Sequence, residues 1–223
     1  MKRSEINKAM TDAVEMMHKF GFNPPPFCFW TPEEWAEKGA EADEIRDCML
    51  GWDITDFGYG DFATRGLLLI TARNGLRDSE KYPKPYAEKL MIVRSGQHTP
   101  MHFHHYKMED IINRGGGKLV IKLYNADEND GLAETDVEIM KDGVRCVVPA
   151  GGIIKLENGE SVTFPQRLYH EFWGEGDVLV GEVSMVNEDN IDNRFYDGSP
   201  RFPAIDEDEP PKYLLFSEYP EAK

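Results

Sequence analysis

The 223-residue chain is long enough to bury a full hydrophobic core within one domain, and its 40% hydrophobic and 30% charged residues are typical of a soluble globular protein. Its formal net charge of −16 argues against a nucleic-acid partner, because phosphate binding requires clustered lysines and arginines. No apolar run approaches the roughly 18 residues that a membrane span requires, so we expect no membrane partner.

Cysteine usage and the N-terminus bear on the cellular compartment. Cys28, Cys48 and Cys146 lie far apart and form no Cys-x-x-Cys pair. This pattern favours reduced thiols over a disulfide framework. The N-terminal residues also lack the apolar segment of a signal peptide. We therefore expect a soluble protein of the cytoplasm.

The first 60 residues predict a helical extension. Apolar residues recur at helical spacings of three or four, with Ser4 as the predicted N-cap: Ile6, Met10, Ala13, Met17 and Phe20. Gly21 and the prolines at 24–26 end this helix. A second helix is predicted to begin at Thr31, where Pro32 and Glu34 complete a first turn and a capping box. Both helices are expected to pack on the outside of the core or at a subunit contact.

From Gly66 onward, short β-rich segments replace the helical pattern. The predicted strands are residues 66–73, 89–94, 118–124, 137–140, 144–148, 153–156, 162–164 and 178–186. Asp142-Gly143 and Asn158-Gly159 predict two-residue hairpin turns. Many short strands joined by close turns predict a mainly β protein, built as an antiparallel barrel or jelly roll.

The order of these segments predicts a single domain over residues 1–223, because neither an internal repeat nor a linker divides the chain. A β core at 66–186 follows the helical extension at 1–60. A polar, proline-rich segment at 187–223 follows the core and contains an acidic run from Asp206 to Glu209. Such a run is typical of a solvated loop.

Two stretches of the chain place four metal ligands at the spacing of a small β-barrel active site. His102 and His104 lie two residues apart, so on a strand both imidazoles leave the same face, whereas His105 faces away. Glu109 follows His104 by five residues, which is enough for a turn to bring its carboxylate back beside the two rings. His170 lies far away in the sequence, so a distant strand must carry it to the same place. Three neutral imidazoles and one carboxylate favour a divalent first-row metal with open coordination positions.

The two stretches resemble the motifs of the cupin superfamily, small β-barrels that hold a metal at the mouth of the barrel. The first motif fits at every marked position. The second departs twice, because Arg167 stands where a glycine is usual and Gly174 where an asparagine is usual. Neither position is a ligand. The gap between the motifs is long for the superfamily and predicts an added hairpin.

Within the superfamily, the chain resembles the D-lyxose isomerase family. The likeness covers essentially the whole chain and is carried by five segments: Leu50 to Gly58, Thr99 to His104, Glu109 to Gly117, Gly181 to Ser184 and Ile205 to Pro210. The resemblance implies an aldose–ketose isomerase that prefers manganese (Mn²⁺) and acts on D-lyxose and D-xylulose. D-Mannose and D-fructose form the implied second substrate pair, and the implied assembly is a soluble homodimer.

Aldose–ketose isomerisation moves a hydrogen between C1 and C2, so the site needs a base beside the metal-held sugar. The first candidate is Lys107, in the turn before Glu109; the alternative is a solvated turn lysine. The second is Glu182, if it faces inward together with Ser184 on its strand. The third is Glu207, in an acidic loop that could cover the barrel mouth. Proton transfer through an enediol and a metal-assisted hydride shift both stay open.

Two other classes of protein share this ligand set. A metal-dependent dioxygenase of the cupin superfamily also uses three histidines and one glutamate, but would pair them with an apolar pocket for an aromatic or thiol substrate. A non-catalytic sugar-binding regulator would usually carry a basic DNA-binding helical domain, and no basic helix is evident here. An inward-facing base would favour the isomerase.

Overall fold

The chain folds into a mainly antiparallel β structure, which the computed structural model describes for residues 1–200 and 204–222. The α-helices are α1 (Arg3–Lys19), α2 (Pro32–Ala36), α3 (Asp43–Asp47) and α4 (Asp189–Asp192). The β-strands are β1 (Gly51–Thr55), β2 (Leu67–Arg73), β3 (Tyr86–Val93), β4 (His98–His104), β5 (Glu109–Asn125), β6 (Val137–Lys141), β7 (Val144–Val148), β8 (Ile153–Leu156), β9 (Ser161–Phe164), β10 (Leu168–Met185) and β11 (Asn193–Phe195). The predicted mainly β class is confirmed. No α-helix in these two ranges is both long enough and apolar enough to cross a membrane.

Two long strands, β5 and β10, lie at the centre of the sheet. They pair antiparallel along nearly their whole length, from Leu168 opposite Asn125 to Ser184 opposite Glu109. The first part of β10 also pairs with β4, whereas its second part pairs with β3. Each long strand therefore belongs to two parts of the sheet.

One hydrophobic core lies between these two parts. Leu69 and Met91, from β2 and β3, belong to the same buried cluster as Ile121 and Phe172, from the other part of β5 and β10. The sheet therefore folds back on itself as a jelly roll. Traced over the described residues, its ladder ends at β1 on one side and at β7 on the other, so the predicted barrel does not close.

Glycines in β5 allow the two long strands to approach closely where the pairing changes. The register between β5 and β10 shifts between Glu175 and Val178. Gly116 lies at this shift with a φ of 104°, and a Cβ there would lie 2.1 Å from the carbonyl oxygen of Asp177. A Cβ at Gly117 would lie 2.1 Å from the carbonyl oxygen of Glu175. Only glycine fits such a close approach of two backbones.

Helix α1 packs on the outer face of the sheet, as predicted. Its residues Ile6, Met10 and Met17 are buried in a second cluster, together with Ile70 of β2 and Leu90 of β3. Burial of each such side chain contributes about 1.5–3 kcal/mol to folding. This second core joins α1 to the face of β2 and β3 that points away from the internal core.

The two predicted helix starts have different outcomes. Helix α2 begins as predicted, because the Thr31 hydroxyl accepts from Glu34 N at 3.2 Å and Thr31 N donates to Glu34 Oε2 at 2.8 Å. The predicted N-cap at Ser4 is wrong, since the N-cap is Lys2 and α1 begins at Arg3. The Ser4 hydroxyl instead donates to Asp208 Oδ2 at 2.7 Å. The C-terminal segment therefore stabilises the start of α1.

The hairpin predicted from the long gap between the two motifs is present. Strands β6 and β7 pair from Val137 opposite Val148 to Lys141 opposite Val144. Asp142 and Gly143 form their turn with φ values of 50° and 77°. These positive values are what a two-residue hairpin turn of type I′ requires.

We predict that Gly116→Ala destabilises the fold much more than Gly143→Ala. Both glycines have positive φ, at 104° and 77°, but a Cβ at Gly143 meets nothing within 4 Å. Gly143→Ala should therefore cost only the backbone strain, about 1–2 kcal/mol. Gly116→Ala adds a backbone clash, for a total of about 2–5 kcal/mol. Urea unfolding measures both values, and equal losses would contradict the role given to the close approach.

Candidate active site

Strand pairing brings residues that are distant in sequence onto one face of the sheet. Strand β4 lies beside the first part of β10, and their register places His102 directly opposite His170. His104 follows two residues after His102, so its side chain leaves the same face. Glu109 begins β5, opposite Ser184 of β10. The four residues predicted as metal ligands therefore meet in one buried cluster.

The donor atoms of this cluster converge. Each of the three imidazoles presents a ring nitrogen within 4.8 Å of the other two. Glu109 Oε1 lies 3.4 Å from His104 Nε2 and 3.3 Å from His170 Nε2. Among the described residues this buried oxygen has no hydrogen-bond partner. A buried carboxylate oxygen without a donor is costly unless a cation completes its surroundings, so the donor set fits a divalent first-row metal.

Backbone carbonyls orient two of the imidazoles. His102 Nδ1 donates to the Pro100 carbonyl at 2.7 Å, and His170 Nδ1 donates to the Leu168 carbonyl at 3.1 Å. Both rings therefore direct the lone pair of Nε2 into the cluster. Burial lowers the pKa of His102 well below its ordinary 6.5 and lowers the pKa of His170 to about 4. Both imidazoles are thus neutral at pH 7, which is the state that binds a metal.

Lys107 lines the same cavity as the histidines and links two carboxylates. Its Nζ is 2.8 Å from Glu109 Oε2 and 2.7 Å from Glu182 Oε1, and all three side chains are buried. Burial alone would lower the pKa of Lys107, but the two carboxylates outweigh it and raise the pKa above 10.5. Burial would raise the pKa of Glu109, but Lys107 and the histidines lower it well below 4.5. Lys107 is therefore a cation, and Glu109 is an anion.

Glu182 points into the same cavity as the histidines, so the inward orientation considered for it is the one observed. Besides the Lys107 ammonium, its Oε1 accepts from the Ser184 hydroxyl at 2.9 Å. A second buried cation, Lys89 Nζ, lies 3.8 Å from the same oxygen. Glu182 is thus a carboxylate held between two ammonium groups beside the three histidines.

Several residues that line the cavity were not identified from the sequence. Lys89 and Asp189 add charge, and their Nζ and Oδ1 atoms lie 3.7 Å apart. Thr99 also lines the cavity, with a buried hydroxyl that has no hydrogen-bond partner in the described part of the chain. Lys89 directly precedes an apolar run in the sequence. A lysine in that place is typical of the solvent-exposed end of a strand, so the sequence does not indicate a site residue. Only the pairing of Lys89 with Glu182 across β3 and β10 places it at the site.

The structure does not bring Glu207 into the cavity, which corrects its predicted role as a catalytic residue. Glu207 is 54% exposed and accepts from Arg3 Nη2 at 2.6 Å and from Arg3 Nε at 2.8 Å. The backbone of Asp206 accepts from Arg3 N at 2.8 Å and donates to Met1 O at 2.8 Å. The Glu207 carboxylate is therefore paired with Arg3 of α1. The acidic segment binds the start of α1 and does not cover the cavity.

The departure from the second motif at Arg167 has a structural explanation. Arg167 has a φ of 62°, a left-handed conformation that favours the glycine usual at this position. An ion pair of its side chain offsets the cost of this backbone conformation, because Nη1 lies 2.7 Å from Asp130 Oδ1. Its backbone N donates to the carbonyl of His104 at 2.9 Å. Arg167 thus helps to hold β4, the strand that carries His102 and His104.

Comparison with known proteins agrees with this geometry. A family model described as D-lyxose isomerase matches residues 1–219. The chain belongs to the D-lyxose isomerase family. Two proteins of this kind are the D-lyxose/D-mannose isomerases of Serratia proteamaculans and Escherichia coli O157:H7, which are 48% and 47% identical to the chain. Each alignment covers 98% of both sequences.

The family membership confirms the resemblance drawn from the sequence and the predicted enzyme class, an isomerase. It favours this class over the dioxygenase and non-catalytic alternatives. Solved L-ribose isomerases share the fold: that of Cellulomonas parahominis with L-ribose has a TM-score of 0.57 at 15% identity, and that of Geodermatophilus obscurus has 0.60 at 17%. Both comparisons cover 92% of this chain and 98% of the other.

We predict that His104→Ala abolishes retention of a divalent metal, because it removes one of the converging donors. The parent chain should retain Mn²⁺ through dialysis and gain thermal stability, by about 2.7 kcal/mol at a free concentration 100 times the Kd. Elemental analysis and thermal unfolding measure the two effects. His105→Ala is the matched control, because that ring packs against Phe103 at 4.8 Å and not in the cluster. Unchanged manganese content in His104→Ala would contradict the ligand assignment.

Proposed function

We propose that the protein is a metal-dependent aldose–ketose isomerase that interconverts D-lyxose with D-xylulose, and D-mannose with D-fructose. The observation that carries the proposal is the link from Glu109 through Lys107 to Glu182. It joins a ligand of the three-histidine cluster to an inward carboxylate within one cavity. The names and the identity of the two D-lyxose/D-mannose isomerases support the choice of sugars.

His102, His104, Glu109 and His170 would hold the metal. A divalent cation bound there supplies positive charge to the carbonyl and hydroxyl oxygens of the sugar, where negative charge develops during isomerisation. Mn²⁺ is the proposed ion, on the basis of the family resemblance, and the nitrogen and oxygen donors of this set suit it.

Glu182 is the proposed base. In the forward direction its carboxylate takes the proton from C2 of the aldose and returns it to C1, while the hydroxyl proton moves from O2 to O1. A carboxylate suits both halves of this transfer because it accepts and then donates the same proton. Its position between Lys107 and Lys89 keeps it oriented toward the cavity.

Lys107 is proposed to act as an ammonium and not as a base. Its pKa is raised above 10.5, because Glu109 and Glu182 outweigh the effect of burial. A cation in this place keeps the two carboxylates apart and donates hydrogen bonds to them or to an oxygen of the substrate. Glu182 is therefore proposed to transfer the proton. Lys107 is proposed to supply positive charge and to orient the carboxylates and the substrate.

We also propose that the protein is a homodimer and lies in the cytoplasm. A homodimer is implied by the family resemblance, and sedimentation of the purified protein tests it. The cytoplasmic location is proposed because Cys28 and Cys48 are buried free thiols that form no disulfide.

Incubation of the manganese-loaded protein with D-lyxose in D₂O, without oxygen, tests the function. We expect D-xylulose that carries solvent deuterium at C1, because the proton on Glu182 exchanges with solvent during transfer. Product without deuterium would favour a hydride shift and remove the proposed role of Glu182. Absence of turnover with any pentose or hexose would remove the isomerase proposal itself.

We predict that Glu182→Gln lowers kcat for D-lyxose by a factor of about 10² to 10⁴, because the amide cannot accept the proton. Metal content should stay that of the parent, since Glu182 is not among the proposed ligands. Glu88→Gln is the matched control, because Glu88 neighbours this region on β3 but pairs with Arg73 at the surface. A kcat within a few-fold of the parent would show that another group moves the proton.

A further inference from the structure

The three imidazoles of the cluster differ in how their second ring nitrogen is held. Those of His102 and His170 donate to backbone carbonyls on their own strands, at 2.7 and 3.1 Å. His104 Nδ1 is buried but has no hydrogen-bond partner among the residues described. A histidine that binds a metal through one nitrogen almost always donates the other N–H to an acceptor. His104 is therefore the ligand whose orientation is unexplained.

A buried carboxylate faces this nitrogen. Asp192 Oδ2 lies 3.9 Å from His104 Nδ1, and this oxygen also has no hydrogen-bond partner within residues 1–200 and 204–222. Asp192 is 2% exposed and ends α4, immediately before β11. Strand β11 pairs with β4 so that Asn193 lies opposite His104. The fold thus places Asp192 beside the strand that carries two of the ligands.

Hydrogen bonds fix the position of Asp192. Its Oδ1 accepts from Tyr106 N at 2.7 Å, and its carbonyl accepts from His105 N at 3.0 Å. With Oδ1 occupied by a backbone donor, Oδ2 is the atom left to face the His104 ring. The two unpartnered atoms are only about 1 Å farther apart than a hydrogen bond requires.

Leaving both atoms unpaired is costly, at about 1–3 kcal/mol for each buried polar group. A hydrogen bond between them removes both penalties at once. It also determines the tautomer, because a proton on Nδ1 leaves the lone pair of Nε2 free to point at Glu109 and the other two rings.

We propose that Asp192 is a positioning residue, whose carboxylate accepts the Nδ1 hydrogen of His104 and so holds this ring in the tautomer that binds the metal. The inference rests on the metal site of the proposed function. It assigns to the segment from α4 to β11 a role in metal affinity, although this segment supplies none of the proposed ligands.

Asp192→Asn tests the proposal with almost no change in shape. The asparagine Oδ1 keeps the hydrogen bond from Tyr106 N, which places the amide Nδ2 toward His104. An amide NH₂ only donates, so it pairs with an Nδ1 that has lost its hydrogen. That pairing stabilises the proton on Nε2, where it blocks coordination. We expect the Kd for Mn²⁺, measured by competition with a chelator, to rise about 10- to 100-fold.

Asp192→Ala separates positioning from a merely structural role. Alanine removes the acceptor but forces neither tautomer, so the proposal predicts that Mn²⁺ affinity falls in the order parent, Ala variant, Asn variant. A structural role predicts the reverse order for the two variants, because alanine also loses the bond from Tyr106 N. Asp110→Asn is the matched control: Asp110 adjoins Glu109 but accepts from the Thr163 hydroxyl at 2.5 Å. Its Mn²⁺ affinity should equal that of the parent.

A second measurement needs neither metal nor activity. In the apo protein labelled with ¹⁵N-histidine, nuclear magnetic resonance should show His104 with the hydrogen on Nδ1 in the parent and on Nε2 in Asp192→Asn. An Asn variant with the parent's tautomer and a Kd within two-fold of the parent would overturn the inference alone. A parent that binds no Mn²⁺ would overturn the proposed metal site and this inference with it.

Discussion

A buried ammonium between two buried carboxylates is the interaction on which the site depends. Lys107 Nζ lies 2.8 Å from Glu109 and 2.7 Å from Glu182. Without it, the carboxylates would share a site of low dielectric, where like charges drive one of them to take up a proton. With it, Glu109 stays anionic, as its proposed role as a metal ligand requires. The same cation lies between this proposed ligand and the proposed base.

The fold supports this interaction by placing a proposed ligand and the proposed base on one strand. His170 lies in the part of β10 that pairs with β4, and Glu182 lies in the part that pairs with β3. The pairing partner changes where Gly116 and Gly117 let β5 approach the backbone of β10. Because the sheet folds back around one core, both parts face the same cavity. Asp192, from the segment that follows β10, then reaches the ring of His104 from outside the cluster.

The sequence predicts those features that depend on local spacing. The parity of His102 and His104, the capping box at Thr31 and the Asp142-Gly143 turn all follow from residues within a few positions of one another. Features set by distant partners were missed or misassigned. The neighbours of Glu207 in the sequence do not reveal its ion pair with the distant Arg3, so the sequence predicts a place in the site that the structure does not give it. Lys89 and Asp192 reach the site through cross-strand registers, which no local pattern specifies.

Anomalous scattering from a manganese-soaked crystal, recorded at the manganese absorption edge, tests the central claim most directly. We expect one ion at about 2.0–2.3 Å from Nε2 of His102, His104 and His170 and from a carboxylate oxygen of Glu109. We also expect Glu182 and Lys107 to remain beside this ion without binding it. An ion bound elsewhere, or one coordinated without His170, would contradict the proposed metal site.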